Sequence, residues 1–90
     1  MPSPLQELRE SWSLTRGEFA AALGVQYNQV FQAEKGRQRL PHAAQTALAE
    51  LGVDVADLER RQEAWVQDRA RRLREELVER LNRPVGEGGA

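Results

Sequence analysis

The chain has 90 residues, of which 40% are apolar and 30% charged, so it can form one small domain with a modest core. Its 13 basic and 14 acidic side chains leave a net charge of -1, which argues against binding through bulk positive charge. With no cysteine and one histidine, we expect no disulfide, no metal site, no cofactor and no catalytic residues. The sequence contains neither a long apolar run nor a signal-peptide pattern, which predicts a cytoplasmic protein without a membrane segment. Together with the lack of candidate catalytic residues, this predicts that the protein is not an enzyme.

Glycine and proline divide the chain into five predicted helices, and no segment shows the period of two that strands require. The first helix starts at Pro4 and ends near Trp12. Thr15 and Glu18 have the spacing of a capping box at the start of the second helix, and Gly24 follows its end. The fold class predicted from the sequence is therefore all-α.

The next two helices are predicted over residues 27–35 and 42–51. Gly36 ends the first of these and Gly52 ends the second, while the basic loop 37–41 connects them. Asp54 or its neighbour then caps a fifth helix, and Asp57 lies in its first turn, where the helix dipole favours an acid.

The fifth helix is unusually long for a chain of this size. Residues 55–82 contain neither glycine nor proline, so this helix could extend for about 42 Å at 1.5 Å per residue. Leu58 and Trp65 lie on one apolar stripe, which we expect to face the rest of the domain. A second stripe is predicted to bind a second copy or another protein, and it comprises Val66, Ala70, Leu73, Leu77 and Leu81. The predicted organisation is a domain over residues 1–58, a helical extension over 59–83 and a flexible tail over 84–90.

The segment 14–36 has the most informative pattern in the chain. It combines a helix, a turn of four residues and a second helix, and its diagnostic residues are Leu14, Thr15, Phe19, Ala20, Gly24, Val25, Val30, Glu34 and Gly36. With flanking residues such as Leu5, Arg9 and Leu48, this pattern resembles the helix-turn-helix of the lambda repressor and Cro family, also called the XRE family. The resemblance covers about residues 4–58. It implies a five-helix, lambda-repressor-like domain that binds double-stranded DNA and regulates transcription.

The resemblance also implies which side chains would contact DNA. The Tyr27–Glu34 helix would enter the major groove, where asparagine and glutamine can bind adenine through two hydrogen bonds. The base contacts implied are Gln26, Tyr27, Asn28, Gln29 and Gln32, with Tyr27, Asn28 and Gln32 the best placed. The phosphate contacts implied are Arg16, Lys35, Arg37 and Arg39. Arg9 and Glu34 match a structural ion pair of the family, between the first helix and the end of the third.

Two positions depart from the family pattern. Gln26 replaces the usual serine or threonine cap of the third helix. Phe31 occupies a position that is commonly polar, where it could cover the second helix, meet DNA or join a protein contact; the sequence favours packing.

These features predict a homodimeric repressor that reads a palindromic operator, with the fifth helix supplying the dimer interface. Two half-sites would multiply the few contacts that one short helix can make. The alternative is an antitoxin or adaptor whose C-terminal helix binds a partner protein. An extension that is ordered in the isolated protein favours the first hypothesis, and one that orders only with a partner favours the second.

Overall fold

A computed structural model of the protein describes residues 1–83. This part of the chain is all-α, as the sequence predicted, and contains five helices and no strand. The helices are α1 (Pro4–Ser11), α2 (Arg16–Leu23), α3 (Tyr27–Glu34), α4 (His42–Glu50) and α5 (Val55–Leu81). The tail predicted to be flexible, 84–90, lies outside the described residues.

Local side-chain bonds explain where the helices begin. The Thr15 hydroxyl accepts a bond from the Glu18 N–H at 3.1 Å, and the Glu18 carboxylate accepts one from the Thr15 N–H at 2.9 Å. The predicted capping box of α2 is therefore present. Asp54 caps α5 in the predicted way, by accepting a bond from the Asp57 N–H at 3.0 Å.

All five helices contribute to one apolar core. Phe19 and Val30 have no exposed surface, and Leu58 connects the start of α5 to this core at 2% exposure. Trp12 packs edge-on against Phe19, with 6.2 Å between the ring centroids. The other buried apolar residues are Leu5, Ala20, Leu23, Ala33, Ala44 and Leu48.

The second half of α5 extends away from this core. The described chain measures 58 × 23 × 21 Å, which reflects a helix of 27 residues, about 40 Å long at 1.5 Å per residue. Every residue from 69 to 83 is exposed. No helix within residues 1–83 combines the length and the apolar character needed to cross a membrane.

Candidate functional site

The N-terminal end of α3 presents polar side chains to solvent. Gly24 ends α2 in the left-handed conformation with φ of 71°, and α3 begins three residues later. Tyr27 is 54% exposed, and Gln26 and Asn28 are also exposed. Three of the predicted base contacts therefore lie side by side on an accessible surface.

The other two predicted base contacts are less accessible. Gln29 is half-buried, and its side-chain oxygen accepts a hydrogen bond from the Gln26 N–H at 2.9 Å. It thereby satisfies an N–H group at the start of α3, although the expected short cap is absent at Gln26. Gln32, one turn from Asn28, is half-buried as well. The structure thus gives Gln29 a local role that the sequence did not indicate.

A buried carboxylate fixes the other end of α3. Glu34 is 1% exposed, and its two oxygens accept bonds from Arg9 Nε at 2.7 Å and Arg9 Nη2 at 3.2 Å. The structure thus brings together the two residues that were predicted to pair. Arg9 also donates a bond from Nη1 to the Leu14 carbonyl at 2.8 Å. These bonds attach α3 to α1 and to the segment that precedes α2.

Arg16 shares the same carboxylate. Its Nε donates a hydrogen bond to Glu34 Oε1 at 2.9 Å, a contact that sequence analysis did not foresee. This bond is the main reason that the pKa of Arg16 lies above its ordinary value, and Tyr27 adds a smaller effect in the same direction. One carboxylate facing two guanidinium groups leaves one unit of positive charge. Arg16 therefore holds α2 against α3 and also contributes positive charge beside Tyr27.

Phe31 lies between the cations of this surface. The Arg16 guanidinium carbon is 5.2 Å from the centroid of its ring, and Lys35 Nζ is 5.6 Å away. Both distances are within the range at which a cation is attracted to an aromatic face. The ring is half-buried, and it brings together two of the four cations that were predicted to contact phosphates.

The other two predicted phosphate contacts lie in the loop after α3. Arg37 and Arg39 are exposed and line an open groove of about 610 Å³ between this loop and α5. Arg39 forms an exposed ion pair with Glu59 of α5 at 3.4 Å. These two cations therefore stand beside α5, whereas Arg16 and Lys35 meet at Phe31.

The first half of α5 also holds the end of α3. The Gln62 side chain accepts a bond from the Leu5 N–H at 3.1 Å and donates one to the Ala33 carbonyl at 2.9 Å. Arg69 donates a bond to the Lys35 carbonyl at 3.3 Å and stacks over Trp65. Gln62 had no predicted role, because helical periodicity does not distinguish a polar side chain that bonds to another segment from one that is only solvated.

Val66 belongs to this internal contact. It is half-buried, and a Cβ added at Gly36 would lie 2.6 Å from Val66 Cγ2 and 3.1 Å from the Trp65 ring. Val66 is thus partly covered within the protein itself, and its role in an interface with a partner stays a prediction. Its side chain packs on the residue that ends the third helix, since α5 approaches Gly36 closely.

The remaining apolar stripe of α5 is free. Leu73 is 49% exposed, Leu77 53% and Leu81 81%, and Ala70 is exposed as well. Val78, at 55% exposure, joins this surface although the sequence analysis did not include it. Large apolar side chains grouped on one exposed face are typical of an interaction surface.

Comparison with family models, with curated proteins and with solved structures finds no match to this chain. Within residues 1–83, no group of three histidine, aspartate or glutamate side chains is arranged to hold a metal ion.

Proposed function

We propose that this protein is a sequence-specific DNA-binding regulator of transcription that inserts α3 into the major groove. The observation that supports this proposal best is the arrangement around α3. Exposed Tyr27 and Asn28 stand at its start, and two cations, Arg16 from α2 and Lys35 at the end of α3, meet at the Phe31 ring. Polar side chains beside fixed cations are suited to reading base edges between two phosphate backbones.

Each side chain has a distinct part in this proposal. Asn28 and Gln32 would bind adenine through two hydrogen bonds, and Tyr27 would contact a thymine methyl group or a phosphate. Arg16 and Lys35 would bind phosphates. The buried pair of Arg9 with Glu34 would keep α3 at a fixed angle to α1. The resemblance to the lambda repressor and Cro family supports the same assignment.

A binding selection from a pool of random DNA duplexes tests the proposal, because it requires no operator sequence to be chosen in advance. We expect the protein to enrich one sequence motif. Asn28→Ala should weaken binding to that motif by roughly 1–3 kcal/mol, because its hydrogen bonds to a base are removed. Gln67→Ala, an exposed substitution on α5, is the matched control and should bind as the wild type does. No enrichment by the wild type would contradict the proposal.

We also propose that the regulator is a homodimer joined through the free stripe of α5. One eight-residue helix makes few base contacts, and a dimer on a palindromic operator doubles them. Leu73, Leu77 and Leu81 would lose their exposed surface on association, which stabilises the dimer by the hydrophobic effect.

The molecular mass in solution, measured by light scattering at micromolar concentration, tests the dimer. We expect a dimer for the full chain, and a monomer for the Leu73→Ser, Leu77→Ser double variant, because serine removes most of the apolar surface. Ala64→Ser, an exposed substitution outside the stripe, is the control and should remain dimeric. A monomeric wild type would contradict the homodimer. The stripe would then favour the alternative function, an antitoxin or adaptor that binds another protein.

A further inference from the structure

The aromatic ring of Phe31 is a feature that the proposed base and phosphate contacts do not by themselves explain. Phe31 lies on α3 with Tyr27 one turn before it and Lys35 one turn after it. Arg16 reaches the same ring from the neighbouring helix α2, with 5.2 Å between its guanidinium carbon and the ring centroid. The ring therefore connects a cation of α2 with the cation at the end of α3.

Arg16 is held on two sides, by Glu34 and by the Phe31 ring. Its Nε donates to Glu34 Oε1, whereas within residues 1–83 neither Nη1 nor Nη2 is bonded to a carboxylate or a carbonyl, and Tyr27 is the polar side chain beside them. A guanidinium that is fixed by a carboxylate and an aromatic face loses little further freedom when it binds a phosphate. Lys35 has a flexible side chain, and its only charge-specific contact within the described residues is the same ring, at 5.6 Å.

We infer that Phe31 is a positioning residue that holds Arg16 and Lys35 as a pair of phosphate contacts beside the base-reading end of α3. This inference rests on the proposed DNA-binding function. Phe31 acts through the two cations and makes no base contact itself. At this position, which is commonly polar in the family pattern, the ring thus restricts the motion of two cationic side chains.

A duplex of random sequence is the right probe, because phosphate contacts do not depend on the operator. Affinity is measured over a range of salt concentrations for the wild type, Phe31→Leu and Phe31→Tyr. Leucine keeps an apolar side chain but removes the ring, and we expect it to weaken binding about 5- to 30-fold, the product of two exposed cation–ring interactions. The slope of log affinity against log salt should fall by roughly one for each phosphate that is no longer neutralised. Tyrosine keeps the ring and should restore both values.

The same substitutions in a chain that carries Arg16→Gln and Lys35→Gln separate positioning from a direct contact. Since Phe31 acts through these two side chains, Phe31→Leu should have no further effect in that background. An equal loss of affinity in both backgrounds would overturn the inference, because the ring would then contact DNA or support α3 by itself. Wild-type affinity and slope in Phe31→Leu would overturn it as well.

Two controls keep the outcome interpretable. Thermal unfolding shows whether each variant is folded, and Lys35→Gln alone serves as the background if the double variant is not. In that background we expect the effect of Phe31→Leu to shrink but not to vanish. If Phe31→Leu weakened binding as much in the Lys35→Gln background as in the wild type, the inference that Phe31 acts through Lys35 would be overturned. A wild type that binds no duplex even at low salt would reject the proposed function itself, whereas a wild type that binds while Phe31→Leu is unaffected rejects only this inference.

Discussion

The two halves of α5 share one continuous helix but differ in what holds them. In the first half, Leu58 enters the core, Gln62 bonds to two other segments and Trp65 covers Gly36. In the second half, residues 70–83 are all exposed, and the ion pairs, which begin at Asp68, are formed between residues three or four positions apart. The same secondary structure is thus stabilised by tertiary packing in one half and by local interactions in the other.

This difference separates two roles within one element. The packed half fixes the C-terminal end of α3, so it contributes to the orientation of α3 relative to the rest of the domain. The free half contributes nothing to the core, yet it has four large apolar side chains, and an isolated helix of about 12 residues is only marginally stable in water. Its continuity with the packed half therefore supports its helical structure, while its apolar stripe is available for a partner.

The largest expected effect is at the buried carboxylate of the globular part. Glu34→Gln should lower the free energy of unfolding by about 3–5 kcal/mol, because it leaves the guanidinium of Arg9 buried without a compensating charge. Chemical denaturation at neutral pH measures this. Asp68→Asn, which removes a half-buried carboxylate at the surface of α5 with two arginine partners, is the control and should have a far smaller effect. Equal losses of stability would show that burial does not distinguish the two regions.

The next effect concerns the contact between the packed half of α5 and the end of α3. Gly36→Ala should destabilise the protein by roughly 1–3 kcal/mol more than Gly52→Ala does, because the Cβ of an alanine at position 36 would overlap Val66. Both glycines have positive φ, 74° and 87°, but no atom lies within 4 Å of a Cβ at Gly52. The difference between the two free energies of unfolding therefore isolates the packing from the backbone strain. No difference would mean that α5 can withdraw from Gly36 at no cost in stability.

The helices and their limits could be predicted because their signals are local. Thr15 and Glu18 are three residues apart, and Gly24 directly follows the last residue of α2, so the sequence alone shows how α2 begins and ends. Contacts between distant segments gave no such signal. Gln62 bonds to residues 57 and 29 positions away, and neither a helical period nor its residue type indicates them.

The predicted site shows the same division. The prediction that Arg9 pairs with Glu34 came from the resemblance to a family pattern, and that pattern already includes this contact between distant residues. Two other contacts depend on how α2 packs on α3 in this chain. They are the hydrogen bond from Arg16 to Glu34 and the approach of two cations to the Phe31 ring. Val66 shares the helical-wheel angle of the exposed stripe, yet its side chain packs beside Gly36, and only the closeness of α5 to Gly36 shows this contact.

The smallest expected effect compares two equivalent ion-pair clusters, one in each half of α5. Asp57 binds Arg60 and Arg61, and Asp68 binds Arg71 and Arg72, with identical spacings of three and four residues. The arginine hydrogen bonds hold the pKa of each aspartate below its ordinary value of 3.8. Each cluster therefore stabilises the folded helix above pH 3.8, and this contribution disappears as the pH falls through the lower pKa of the folded state.

Only the free half depends on such a cluster for its helical structure. We expect Asp68→Asn to reduce the helical circular dichroism signal at neutral pH and to lessen the further decrease on acidification. Asp57→Asn, the matched control, should leave the helical signal almost unchanged, because Leu58 and Gln62 hold that half against the core. Measurement at submicromolar concentration keeps self-association from masking the difference. Equal decreases in the two variants would mean that tertiary contacts do not protect the packed half, and the contrast between the two halves would fail.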